Sequence, residues 1–173
     1  MPFAQPWPDL KKEILDLLAE NRFMTVATIR PDGWPQATIV GYANVDLQLY
    51  FAVGDDSQKL ANITREPRVS IALGHNGDER IRGLSMAAHA AVVREQDEID
   101  RIIQIVRDRH PNMTTFTPRT AGALLLRATP VIVSVIDLPV LPGRPLLVKV
   151  KNDLSVEPFT FAPGQPDAGG PFI

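Results

Sequence analysis

The apolar positions of this chain change period several times, and each change marks an element. Leu10, Ile14, Leu17 and Leu18 recur at i, i+4, i+7 and i+8, one stripe of a helix that Asp9 can cap and that ends near Arg22. From Met24 the period drops to two. MTVATIRPDGWPQATIV sets Pro31-Asp32-Gly33 between two segments rich in β-branched residues, and Asp-Gly there supplies the positive φ of a tight hairpin. Asn44-Val45-Asp46 carries the next turn, into an alternating third strand, LQLYFAV, from Leu47 to Val53. Gly54-Asp55-Asp56-Ser57 then ends in a residue suited to cap a short helix, which runs to Arg65 and is stopped by Pro67.

Val69 to Leu73 reads as a fourth strand, His75-Asn76-Gly77-Asp78 as a loop, and Arg80 to Val93 as a long strand. Its middle, Met86 to Ala91, would suit a helix on propensity alone. Ile99, Ile102, Ile103 and Val106 then mark an amphipathic helix from Glu98 to Arg109, with Asp97 as cap and Pro111 just past its end. Leu124 to Ala128 and Val131 to Asp137 read as two late strands, Pro139 to Pro145 as a turn, and Leu146 to Val150 as the closing strand. The pattern predicts a mainly β domain over 1–150, a small barrel with flanking helices. The remainder, 151–173, holds four prolines and three glycines and reads as an extended C-terminal arm.

Composition narrows the function classes. A chain of 173 residues with 45% hydrophobic and 22% charged residues suits one globular domain with a substantial core. The formal net charge of -2 lacks the basic footprint of a nucleic-acid binder. No apolar run approaches a membrane span and Met1 to Pro8 is not a secretory signal, so the expected location is cytoplasmic. Without cysteine, thiolate metal sites and cysteine nucleophiles are excluded. His75, His89 and His110 lack the paired spacing of metal ligands. Ser70, Ser85 and Ser134 lie in expected strands without a nucleophile elbow, and the acidic clusters fall in turns or on helix faces. None of these positions predicts hydrolase or metal chemistry.

The start of the short helix does carry chemistry. Its unpaired N–H groups favour an anion, and Lys59 beside them offers charge-assisted hydrogen bonds to a phosphate. At these residues the chain resembles the pyridoxamine 5'-phosphate oxidase-like FMN-binding split barrels. The resemblance rests on MTVATIRPDGWPQATIV, on Ser57-Gln58-Lys59, on NITREPRVSIAL, on GLSMAAHAAVV and on VIVSVIDLPVLPGRPLLVKV, together roughly Leu10 to Val150.

The resemblance implies an FMN phosphate held at or beside Ser57, Gln58 and Lys59. It implies a flavin ring lying along the strand of Thr38, Ile39 and Val40 and near Val53. Where the family's pyridoxamine phosphate oxidases begin that strand with an arginine, this chain has Gln36 or Ala37, which makes Arg80 or Arg82 the expected substitute. No histidine follows His110, so the family's C-terminal arginine-histidine substrate motif is lacking and vitamin B6 oxidation is not expected. The resemblance further implies a homodimer with cofactor at the interface, to which Arg144 and the arm reach across, and a small-molecule substrate or NAD(P)H. The expected function is that of a flavin-dependent oxidoreductase; the alternatives are an F420-dependent reductase of the same fold and a non-catalytic flavin-binding protein.

Overall fold

The computed structural model describes residues 8–76, 81–109, 122–138 and 146–159. Nine antiparallel strands and three helices follow in the order α1 (Leu10–Glu20), β1 (Phe23–Ile29), β2 (Pro35–Gly41), β3 (Ala43–Val45), β4 (Gln48–Gly54), α2 (Gln58–Arg65), β5 (Arg68–Asn76), β6 (Ile81–Val92), α3 (Gln96–Arg109), β7 (Ala123–Leu138), β8 (Leu146–Val150) and β9 (Val156–Phe159). One sheet runs β2-β1-β5-β6-β7-β4-β3, with β8 added to β7 and β9 to β8. β2, at one end of this order, contacts β4 near the other end, but among the described residues shares no ladder with it. The result is a barrel with a split beside β2, whose outer edge keeps backbone groups without a strand partner.

Burial explains the alternation. Met24 and Val26 of β1, Leu49 and Phe51 of β4, Ile71 of β5, Met86 of β6 and Val133 of β7 fill the interior. Leu10, Ile14, Leu17 and Leu18 bring the stripe of α1 onto the same core, and the Asp9 side chain caps that helix at Lys12 N. Ile102 and Val106 of α3 pack against Tyr50 and Leu125 on the other side of the wall, forming a second, smaller cluster.

Most expected elements are present, with instructive differences. Met86 to Ala91 is strand, because pairing with β5 and β7 on both sides overrides its helical propensity. Leu124 to Ala128 and Val131 to Asp137 are one strand, β7, running through Thr129-Pro130. Pro130 sits opposite Ala88 where the β6–β7 register shifts, so its missing N–H falls at an irregularity of the ladder. The turn expected at Asn44-Val45-Asp46 is instead a short strand, β3, followed by Asp46 in the left-handed region with φ 52. α3 begins at Gln96, so Asp97 lies in its first turn and is not its cap. The sheet also continues beyond Val150: Lys151 N–H donates to Ser155 O at 2.9 Å, closing a turn that returns the chain as β9. The turn expected over Pro139 to Pro145, with Arg144, and Pro111 lie outside the described residues.

Candidate functional site

The split brings α2 against β1 and β2. α2 starts as expected, with the Ser57 hydroxyl accepting from Leu60 N at 3.2 Å. Ser57 is therefore engaged as a cap. Asn62, fully buried, joins helix to sheet: its Nδ2 donates to Thr28 Oγ1 at 2.9 Å and to Gln36 Oε1 at 3.0 Å, and its Oδ1 accepts from Gln58 Nε2 at 2.9 Å. Sequence reasoning missed Asn62, since one asparagine in a helix carries no signal by itself.

Lys59 lies one turn before Asn62 on the same side of α2, half-buried, and among the described residues no carboxylate pairs with it. Burial alone pushes its ammonium below the ordinary lysine range. Gln36, Thr38 and Val40 alternate on the inward face of β2, opposite Thr28, Val26 and Met24. Thr38 Oγ1 is buried and has no hydrogen-bond partner. Ile39 faces the other way and is 75% exposed. Val53 is a core residue, opposite Leu124 in the β4–β7 ladder. The structure thus ties α2, which carries Ser57, Gln58 and Lys59, to the inward side of β2 through Asn62, and among the described residues a cation on α2 and a hydroxyl on β2 have no partner. Such a pair fits the phosphate and polar tail of a flavin nucleotide: the lysine offers the charge, and the hydroxyl offers a donor and an acceptor.

Of the two arginines expected as substitutes, the structure describes Arg82, which is engaged elsewhere. Arg80 lies outside the described residues. Arg82 is held by Glu13 and Glu20 of α1 and stands 3.4 Å from Asp137 Oδ2 through its Nε. Its guanidinium is committed to fastening α1 to β6. Farther round the sheet, Tyr50, Glu98 and Arg127 form a second closed network, with Tyr50 Oη 2.8 Å from one Glu98 oxygen and Arg127 reaching both at 2.8 and 3.0 Å. Burial opposes ionisation of Glu98, but the hydrogen bonds from Tyr50 and Arg127 outweigh it and lower its carboxyl. Both networks are structural ties.

The outward face of β1, β2, β5 and β6 carries small side chains. One row across it reads Ala37, Ala27, Ser70 and Ala87. Gly74 and Gly83 lie opposite each other farther along, and a Cβ on Gly83 would stand 2.7 Å from Leu73 O, so only glycine lets these strands approach so closely. Large apolar side chains project from this face and from neighbouring β7: Phe23, Ile39 and Ile81, with Ile136 opposite Gly83, are all exposed. A groove of about 430 Å³ lies over Ala27, Ser70 and Ala87, with Arg68 and the exposed His89 at its side. A second, of about 460 Å³, lies over Ala72, Gly74, Gly83 and Ser85. Among the described residues no group of three or more histidines, aspartates or glutamates is placed to hold a metal, and no helix is long and apolar enough to cross a membrane.

Comparison with known proteins agrees with this architecture. A family model described as pyridoxamine 5'-phosphate oxidase matches residues 10–132. None of the curated proteins matches the chain. Among solved structures, a conserved hypothetical protein from Mycobacterium tuberculosis is 26% identical, with TM-score 0.68 over 83% of this chain and 95% of its own. A pyridoxamine 5'-phosphate oxidase-related, FMN binding protein from Nostoc punctiforme is 16% identical, with TM-score 0.62 over 92% of this chain and 98% of its own. A heme binding protein from Mycobacterium smegmatis is 20% identical, with TM-score 0.70 over 83% of this chain and 59% of its own. The shared fold is the split barrel.

Proposed function

This chain belongs to the pyridoxamine 5'-phosphate oxidase family, and from that premise we propose that it is an FMN-binding flavoprotein acting as a flavin-dependent oxidoreductase. The observation that carries the reading is Lys59, a half-buried ammonium without a counter-charge among the described residues, in the first turn of a helix that Asn62 ties to β2, the strand of the unsatisfied Thr38 hydroxyl. Lys59 and the α2 N-terminus would bind the phosphate, whose roughly two negative charges supply what this corner lacks. The free edge of β2 would offer backbone groups to the ring edge. The bound flavin would supply the electron or hydride transfer, and the chain would orient it and exclude water.

The outward face with exposed Phe23, Ile39, Ile81 and Ile136 is the surface on which we place a second copy of the chain, covering apolar area that a monomer would leave in water. The grooves over Ala27 and Ala72 would then lie between subunits and receive a substrate.

The visible spectrum of freshly purified protein tests the reading, with the chromophore released by denaturation and identified. Released FMN is the expected result. A protein that is colourless and takes up F420 but not FMN overturns it, and FMN that NADH or NADPH cannot reduce moves the protein to the non-catalytic class. One observation favours a second reading, a tetrapyrrole in place of a flavin: exposed His89 beside Arg68 at a groove floored by Ala27, Ser70 and Ala87 offers an axial ligand and a partner for a carboxylate. A haemin titration with no Soret shift would remove it.

A further inference from the structure

The bonds of Asn62 define more than a buried polar contact. It is completely buried, yet it spends three of its four hydrogen-bonding positions on three different segments: Thr28 of β1, Gln36 of β2 and Gln58 in the first turn of its own helix. α2 has eight residues, too few to hold its own position or axial register in water. An apolar side chain at 62 would bury as well, but it would not fix the rotation of the helix; hydrogen bonds with this geometry do. Lys59 stands one turn away on the same side of α2, and Thr38 stands two residues from Gln36 on the same face of β2. One side chain thus sets the spacing between the anion end and the strand end of the site.

We propose that Asn62 is a positioning residue: resting on the FMN reading above, it holds the phosphate-binding turn of α2 at the distance from β2 that FMN needs to engage both ends at once. Its loss leaves each end able to bind alone but ends their joint engagement. Riboflavin, which lacks the phosphate, touches only the ring end and is the control ligand.

The test measures dissociation constants for FMN and for riboflavin by flavin fluorescence on the native chain, on Asn62→Ser and on Gln36→Leu, with an unfolding curve for each without ligand. The native chain is expected to prefer FMN by tenfold or more. In each variant that preference shrinks by about tenfold while riboflavin affinity stays within about twofold, and adding Lys59→Ala to Asn62→Ser changes little further, as coupled residues behave. Equal losses for both ligands, or full additivity with Lys59→Ala, would make Asn62 purely structural and overturn the inference. If Asn62→Ser does not fold, Gln36→Leu, which leaves Asn62 bonded to Thr28, decides on the same criterion. A native chain with no preference for FMN sinks the FMN reading, and this inference with it; a preference that survives in the variants sinks the inference alone.

Discussion

Two corners of this barrel each take a long cation out of water, and they treat it in opposite ways. At the α1 corner Arg82, 12% exposed at the side chain, meets Glu13, Glu20 and Asp137. Burial opposes its charge, and the hydrogen bonds that it donates to Glu20 and Glu13 outweigh burial and raise its pKa. At the α2 corner Lys59 is half-buried, no carboxylate among the described residues pairs with it, and burial lowers its pKa. A cation answered within the chain holds elements together. One left unanswered in a folded domain destabilises it, and such a residue marks a place where an anion from outside completes the electrostatics.

The sharpest way to break the comparison is to remove the answered cation. Arg82→Leu leaves Asp137, fully buried, without its guanidinium neighbour and sets Glu13 and Glu20 together beneath α1. Removing the guanidinium that Glu13, Glu20 and Asp137 share makes the expected loss about 3 kcal/mol. Urea unfolding of the ligand-free protein reads it, and FMN affinity in the still-folded fraction is expected to be unchanged. A loss of FMN affinity without loss of stability would instead place Arg82 in the site.

Removing the unanswered cation should do the reverse. Lys59→Met is expected to weaken FMN binding by tenfold or more, the roughly 1.5–3 kcal/mol of a charge-assisted bond. The ligand-free protein should be as stable as the native chain or more so. The sign follows from the lowered pKa: the folded state disfavours the charged lysine, so the penalty is full below its folded pKa and fades as pH rises to the ordinary lysine value. The stability gain from Met is thus greatest near neutral pH and absent in strong alkali. Thermal unfolding at two pH values, without ligand, checks it.

These contrasts mark the limit of what the sequence can tell. Period and punctuation reveal α1, the β1–β2 hairpin and the cap of α2, because those signals are local: Ser57 bonds a residue three positions on. The strand edges are legible to within a few residues, except where tertiary pairing overrides a local signal, as at Pro130 in β7, or where a short turn hides a return, as at β9. Lys59 stands out from sequence as a base at a helix start, but its lack of a counter-ion does not. Arg82 reads equally well as an anion ligand until its carboxylates, 62 and 69 residues away in the chain, come into view. Asn62 is silent for the same reason, since its partners Thr28 and Gln36 are 34 and 26 residues away.

The Tyr50–Glu98–Arg127 network lets the comparison be sharpened with a milder perturbation. Arg127→Met is expected to destabilise the protein by about 1 kcal/mol, a value held down because Arg127 is 37% exposed at the side chain. Glu98 has a lowered folded pKa, so its contribution is present above the ordinary carboxylate value and is lost as pH falls through the folded one. The variant should therefore lose part of the acid sensitivity of the native chain as well as its stability at neutral pH. Identical pH dependence in both proteins would show that Arg127 contributes packing and not charge.

The smallest expected effect lies at Thr38, and it isolates the same principle in a neutral group. Its hydroxyl is buried without a partner, which disfavours the ligand-free fold by an amount on the order of 1 kcal/mol. Val has the same branched shape at Cβ, so Thr38→Val removes the orphaned oxygen while keeping the packing of β2 against β1. The ligand-free protein should unfold at the same temperature or slightly higher, while FMN affinity falls a few-fold because a neutral hydrogen bond to the nucleotide is lost. Opposite signs for ligand-free stability and for binding are the signature of a group kept for its ligand. If both fall together, the Thr38 hydroxyl belongs with Arg82 among the structural ties, and the unsatisfied character of the α2 corner reduces to Lys59 alone.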